Sequence, residues 1–522
     1  MGGVKDGGRY DVAIVGFGPS GAVAAALLGQ AGIRTLVLDR SATVYDRPRA
    51  IALDHEIMRV FQQLGLAEEI GRYCEPFTPS EYFGADGQLI KRLATVAPPY
   101  PLGHTPSMVF TQPEVERILR AHVAALPSVT VALGRRVASL HQNADQATLL
   151  LEDDAGAQCS VHASYVIGCD GASSMVREAV GIALDDLEFD EPWLVVDVLV
   201  NQQGLAKLPR TSVQYCEPAR PCTYVIGPGM HRRWEISLLP GEDPAWMASE
   251  EGAWSVLRRW ITPDDARLWR QASYRFHALV AHEWRKGRVF IAGDAAHQQP
   301  PFLGQGMCQG VRDVANLTWK LRAVLAGDAQ DALLDSYGAE RGLHVRRLTA
   351  RIKEIGRVIC ERDPAAARAR DAALIAAAGG EIKTVARQDM IPPLETGLLS
   401  RHAHAANGTL FPQPRVATLD GPRLLDHIAS CGWRIVTNLA ADALPDVPAG
   451  VACVALTAIA HAPSRHGSAI VASECDGVAA AWFARHACRA ALVRPDHYVY
   501  GTADSTTTLA ALLDELESSG AR

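Results

Sequence analysis

The stretch YDVAIVGFGPSGAVAAALLGQAGIRTLVLD, residues 10–39, decides the fold. Tyr10–Val15 is a short β-branched apolar run, the pattern of a strand buried on both faces. Gly16-Phe17-Gly18-Pro19-Ser20-Gly21 follows, then an alanine-rich helical pattern from Ala22 to Ala31 that Gly32 stops. Thr35–Leu38 reads as a second strand, ending at Asp39. An acid about twenty residues beyond a glycine turn, inside a βαβ unit of about thirty residues, predicts dinucleotide binding. Gly16 allows the tight turn, Gly18 lets backbone approach a pyrophosphate, and Gly21 lets helix and strand pack closely. The helix N-terminus offers unpaired N–H groups and partial positive charge to the phosphates. Asp39 can accept from the ribose hydroxyls.

Working outward, two more glycine–aspartate clusters follow. YVIGCDGASSMVR (165–177) reads as a strand ending at Asp170-Gly171 before a Ser-capped helix. RVFIAGDAAHQQPPFLGQGMCQG (288–310) reads as a strand ending at Gly293-Asp294, a Pro-rich loop and a helix start. Acids at the carboxyl ends of strands mark the ligand crevice of an open α/β sheet. Gln305–Ala326 is predicted helical with one core face, and Met58, Phe61, Leu64 and Leu66 read as packing residues.

At 522 residues the chain is long enough for two or three domains. It is 48% hydrophobic and 21% charged, which excludes a mostly disordered chain. A net charge of −7 gives no basic footprint for nucleic acid. The polar N-terminus lacks a secretory apolar core, and no apolar run is long enough to span a membrane. The eleven cysteines include no CxxC pair and no zinc spacing, which predicts reduced thiols, a cytoplasmic location and no metal.

The three clusters together resemble the fingerprints of the class A flavoprotein monooxygenases, the family of para-hydroxybenzoate hydroxylase and phenol hydroxylase. Arg47-Pro48-Arg49-Ala50, the helix-like ALDHEIMRVFQQLGL (52–66) and FTQPEV (110–115) match too. VQYCEPARPCTYV (213–225), RRWEISLLPGE (232–242) and VRPDHYVYG (493–501) are similar to the 3-(3-hydroxyphenyl)propionate hydroxylase branch. The resemblance implies an α/β fold in which a β-sheet substrate domain interrupts a Rossmann-like FAD domain, followed by a thioredoxin-like α/β domain. The spans are 8–80, 111–185 and 276–390 for FAD, 81–110 and 186–275 for substrate, and 400–522 for the tail.

Carried over position by position, Gly16, Gly18, Ser20 and Gly21 hold the FAD pyrophosphate, and Asp39 and Arg40 the adenosine side. Arg47 and Arg49 lie on a loop along which flavin moves and NADH or NADPH docks transiently. Gln112 contacts flavin, Asp170 and Arg177 serve both cofactors, and Gly293 and Asp294 hold the ribityl chain. Gly304, Gly306 and Met307 set a helix N-terminus against the isoalloxazine.

The implied reaction hydroxylates a phenolic acid such as 3-(3-hydroxyphenyl)propionate with O2, through a flavin C4a-hydroperoxide. The alternatives are another phenol or heteroaromatic ring, a flavin reductase without oxygen insertion, or a non-catalytic scaffold. His297, Tyr215 and Pro301 are the catalytic candidates: His297 for the phenol proton, Tyr215 for a hydrogen bond to the phenol oxygen, and Pro301 for the carbonyl that faces the ring in the family. Tyr224 and His55 are further polar candidates. Arg220, Arg232 and Arg233 are equally available to grip a carboxylate. The resemblance is compatible with a homodimer.

Overall fold

A computed structural model describes residues 4–382, 384–429, 431–457 and 463–521. Five parallel strands form its centre, in the order Val289–Ile291, Gln158–Gly168, Gly8–Val15, Thr35–Asp39 and Val129–Leu133. Val15 sits opposite both Gly168 and Leu38, and Gly168 opposite Ile291. Three strands therefore end in one row, and the turns after them leave the sheet at a single edge. That shared register is what gathers motifs nearly 300 positions apart (Gly16 to Gly306). The helix Pro19–Gln30 buries its alanines on one face of the sheet, against the helix Gly306–Ala326. Gly21 is required there, since a Cβ on it would lie 1.9 Å from the Gly16 carbonyl oxygen.

A nine-stranded sheet roofs that edge. Its order runs His297–Gln298, Ala266–Ala281, Leu184–Val200, His231–Ser237, Cys222–Ile226, Ser212–Tyr215, Ser80–Phe83, Leu89–Ala94 and Thr384–Ala386. Side chains alternate between faces, as strand geometry demands. One face packs Tyr224, Trp234, Leu194 and Val196 against the helices Pro244–Met247 and Glu250–Leu257. The other looks down on the parallel sheet.

Two sequence expectations differ from what is seen. Ala52–Leu66 is not continuously helical. Ala52–Asp54 is a strand paired with Ser107–Phe110, and the helix His55–Gln63 starts only after Asp54. Asp54 accepts from the Glu56 and Ile57 N–H groups and so fixes the helix start. Ser107–Phe110 belongs to that separate three-stranded sheet, while Thr384–Ala386, far along the chain, joins the edge of the roof.

The C-terminal part carries a six-stranded mixed sheet with the helices Val478–Arg485 and Thr506–Ser518. It docks on the helices beneath the parallel sheet through buried charges. Arg59 reaches Asp426 at 2.6 Å, and Arg494 reaches Glu340 at 2.7 Å. The Tyr498 hydroxyl donates to Glu56 at 2.9 Å, and Trp319 meets Trp433 edge-on. Among the described residues no helix is long and apolar enough to cross a membrane.

Candidate active site

Between the parallel edge and the roof lies a cavity of about 400 Å³. Its floor is Gly18, Ser20, Gly293, Asp294 and the opening turn of Gly306–Ala326, and its walls include Ile51, Phe77, Phe276, Pro301 and Phe302. A cleft of about 1130 Å³ runs on from it past Gly16 to Asp39, Arg40, Arg120 and Arg135. Gly18, Arg49, Cys169 and Gly171 line both spaces, which makes them one continuous groove. Gly16, at φ +100°, makes the turn; a Cβ there would lie 2.2 Å from the Cys169 carbonyl oxygen. At Gly18 a Cβ would meet nothing within 4 Å, so the backbone lies open to the groove. Asp39 holds the Phe17 and Ser41 N–H groups at 2.8 Å each, with its carboxylate on the cleft.

Helix Gly306–Ala326 opens on the cavity with no side-chain cap, leaving its first amides and positive dipole end available to an anion. Asp294 is open to the cavity yet surrounded by protein, and burial pushes its carboxyl up.

The roof contributes charge in two adjacent rows. One runs Val225, Arg233, Asp197, Arg270; the next runs Thr223, Glu235, Val195, Ala272. Asp197 is fully buried and accepts from Arg233 Nε at 2.7 Å, with Arg270 Nη1 at 3.5 Å and His231 Nε2 at 2.7 Å. Burial would raise its pKa, but Arg233 and His231 win and hold it at about 2. Arg233 also donates to the Arg49 and Pro48 carbonyls. Glu235 faces the cavity and is 5% exposed, and burial lifts it to about 7.

The model for an FAD binding domain matches residues 9–352, and that of the HcaD C-terminal domain matches 408–519. A probable NADH-specific resorcinol 4-hydroxylase of Rhodococcus jostii (strain RHA1) is 39% identical over 97% of this chain and 94% of its own length. The chain belongs to the FAD-dependent aromatic hydroxylases. A 3-(3-hydroxy-phenyl)propionate/3-hydroxycinnamic acid hydroxylase of Burkholderia cenocepacia (strain HI2424) is 33% identical over 95% of this chain and 94% of its own. The flavin-dependent monooxygenase PieE, solved with FAD and substrate, superposes with TM-score 0.79 over 98% of this chain and 99% of its own, at 22% identity. At that identity the likeness speaks for the fold.

FAD fits the groove of this hydroxylase. The groove is open where a pyrophosphate must pass Gly18, has an acid at its far end and a bare helix N-terminus at its near end. Of the residues singled out from sequence, Gly18, Ser20, Arg49, Gln112, Gly293, Asp294, Pro301, Gly304, Gly306 and Met307 line the cavity. Gly16, Asp39, Arg40 and Asp170 line the cleft. Gly21 works one layer back, as packing.

Several expectations need correcting. His297 does not reach the cavity: it is 1% exposed, its Nε2–H donates to Asp313 at 2.7 Å, and its ring stacks on Trp284. It braces the loop rather than meeting a ring substrate. Tyr215 and Tyr224 face the opposite side of the roof, Tyr215 against Trp260 and Arg259, because cavity-facing positions on those strands fall to Ser212, Gln214, Thr223 and Val225. Replacing Tyr215 by Phe is therefore expected to change kcat less than twofold in steady-state turnover. Arg177 sits behind the cleft, donating to the Ala172 and Ala295 carbonyls at 3.1 Å. Arg47 is on the outer surface beside Glu250 and Trp254. Gln112 lines the cavity, but its Oε1 takes the Arg49 and Ala50 N–H groups and its Nε2 is bound by Glu116. It pins the 47–50 loop. Of the three arginines left open, only Arg233 lines the cavity; Arg220 pairs with Glu242 and Arg232 folds onto its own turn. His55 is buried away from the cavity, and burial lowers it to about 4.

Sequence reasoning missed Asp197, Glu235, Arg270 and Arg387. Arg387 lines the cavity over the Phe77 ring and donates to the Leu303 carbonyl. It also missed Gly310, where a Cβ would lie 2.2 Å from Ser20 Oγ, although the residue ends the quoted 288–310 cluster.

Proposed function

We propose that this hydroxylase places one oxygen atom on the ring of a monocyclic phenol bearing a polar substituent at the meta position, with NADH as reductant. That class contains both 3-(3-hydroxyphenyl)propionate and resorcinol, the rings named for the two relatives above. The observation that carries the reading is the cavity's polarity. Phe77, Phe276, Phe302 and Pro301 offer a ring apolar walls, while Gln214, Thr223, Arg233, Glu235 and Arg270 on the roof offer polar partners to its substituents.

FAD supplies the activated oxygen. Gly16, Gly18, Ser20 and Asp39 hold its adenosine diphosphate half, and Gly293, Asp294, Gly304, Gly306 and Met307 hold the flavin half. The dipole of helix Gly306–Ala326 would favour negative charge on a flavin bound at its N-terminus. The roof would exclude water and hold the ring over the floor of the cavity, with Pro301 in the wall beside it. NADH docks transiently, in keeping with the single βαβ fingerprint of the sequence. The eleven free thiols support a reducing compartment, the cytoplasm.

The test is NADH oxidation by the purified, FAD-loaded protein across a phenol panel, with product identification. Resorcinol or 3-(3-hydroxyphenyl)propionate is expected to stimulate oxidation and gain a hydroxyl. A panel in which only non-phenolic heteroaromatics do so contradicts the reading.

A further inference from the structure

The cavity is lined by two acids, Asp294 on the floor and Glu235 on the roof. Among the described residues neither carboxylate accepts a side-chain hydrogen bond, but Asp294 belongs to the flavin half of the groove in the reading above, which leaves Glu235 facing the ring. It is 5% exposed and no side-chain hydrogen bond is made to it, although two arginines stand in the adjacent row. The reason is Asp197. It takes Arg233 through Nε and Nη2 and draws Arg270 Nη1, while Arg233 Nη1 and Nη2 also donate to the Arg49 and Pro48 carbonyls. Arg270 turns its Nη2 to the Tyr274 hydroxyl. Thr223, directly beside Glu235, spends its hydroxyl on Gln214 at 2.6 Å. A buried carboxyl left without a partner carries a penalty that a hydroxyl entering the cavity relieves.

We propose that Glu235 is the group that accepts the proton of the substrate's phenol hydroxyl; the inference rests on the phenol reading above. The phenol O–H bond breaks, an O–H bond forms on the Glu235 carboxylate, and the electron pair stays on the ring oxygen. Ring carbons ortho and para to that oxygen become more electron-rich, which is what attack by an electrophilic oxygen needs. The local charge sum supports the transfer. Arg233, Arg270 and Asp197 together carry +1, and burial keeps His231 below its usual range and so neutral. An ionised Glu235 brings the sum to zero, and a phenolate beside a protonated Glu235 brings it to the same value. The negative charge moves from one oxygen to another before the same two guanidinium groups.

The charged and titratable groups facing Glu235 are Arg233 on its own strand, Asp197 on the neighbouring strand, Arg270 and Tyr274 on the strand after that, and Asp294, Arg49 and Arg387 across the cavity. Burial first, and Asp197 also, raise its pKa; Arg233 and Arg270 oppose them, leaving it at about 7. That is the range a proton acceptor needs near neutral pH.

The experiment titrates the FAD-loaded protein with resorcinol and reads the ultraviolet difference spectrum as a function of pH, alongside the pH profile of kcat. Wild type is expected to show a bound-phenolate band that is absent below pH 7 and grows above it, once Glu235 is ionised, and a rising limb of kcat with a midpoint near 7. In Glu235→Gln, resorcinol should bind without the phenolate band, and kcat near neutrality should fall about 100-fold with that limb gone. Glu235→Asp should restore both in part. FAD content and melting midpoint identify a variant that misfolds, and in that case the wild-type spectrum decides alone. Resorcinol bound to wild type as the neutral phenol throughout overturns the proposal, as does a Gln variant with the wild-type band and limb. If wild type binds and hydroxylates no phenol of the panel, it is the phenol reading that has failed.

Discussion

Replacing Gly21 by alanine is expected to yield a protein that no longer retains flavin through purification. The added Cβ would lie 1.9 Å from the Gly16 carbonyl oxygen and 3.4 Å from the Cys169 side chain. The first contact is with backbone, so no rotamer change relieves it, and either the helix Pro19–Gln30 or the Gly16 turn must move. Both choices misplace the Gly18 amide and the helix N-terminus, which together make the proposed phosphate site. Overpacking of this kind costs about 1–3 kcal/mol in stability. The loss in FAD affinity is expected to exceed 100-fold, because in the proposed reading the turn meets the pyrophosphate directly. Fluorescence titration of apoprotein with FAD measures it, and wild-type affinity in the variant would show that the close approach of helix and turn is not required.

The second large effect is expected at Asp197. It is fully buried and is shared by Arg233, Arg270 and His231. Asp197→Asn keeps the volume but leaves two buried guanidinium groups with no fixed counter-charge beyond Glu235. Breaking a buried pair from one side costs about 3–5 kcal/mol. Arg233 also holds the Pro48 and Arg49 carbonyls, so the damage should reach the loop at the mouth of the groove. The sign of the pH dependence follows from the depressed carboxyl. Asp197 stays at about 2 when folded, against about 4 in an unfolded chain. Its contribution is whole above pH 4 and is lost as pH falls towards 2. Wild type should therefore lose stability over that window, and the Asn variant, already without the charge, should lose less. Thermal melts at stepped pH give both curves; parallel curves would assign acid sensitivity to other carboxylates.

The floor of the site was legible in the sequence because its information is local. A β-branched run, three glycines and an acid specify the strand, the turn and what the turn can touch. Parallel strands ending in one row then bring the second and third clusters to the first. The roof was less legible, and its failures share one cause. On a strand, which residue faces the site depends on a register of one position. In Val213-Gln214-Tyr215 the aromatic was read as the site residue, but Gln214 faces the cavity, while Val213 and Tyr215 join a separate core with Trp234 and Trp260. In Arg232-Arg233-Trp234-Glu235 the tryptophan takes the helix-covered face, and Arg233 and Glu235 are driven into the interior. A sequence of alternating charge reads as a solvent face unless its partners are known. Those partners are Asp197, 36 positions away from Arg233, and Arg270, 73 positions from Asp197. His297 misled for a different reason. It lies in the flavin-side motif, but its ring turns to Asp313, about two turns inside Gly306–Ala326, and nothing short-range marks that pairing.

The central claim is that one groove holds FAD and a phenol ring close enough for oxygen to pass between them. Turnover of the FAD-loaded protein with NADH, resorcinol and isotopically labelled O2, followed by mass spectrometry of the product, tests it most directly. The account predicts one labelled oxygen atom per hydroxylated ring, formed in step with NADH consumed. NADH oxidation that yields only hydrogen peroxide, or a product whose new oxygen comes from water, across the phenols of the panel would contradict it.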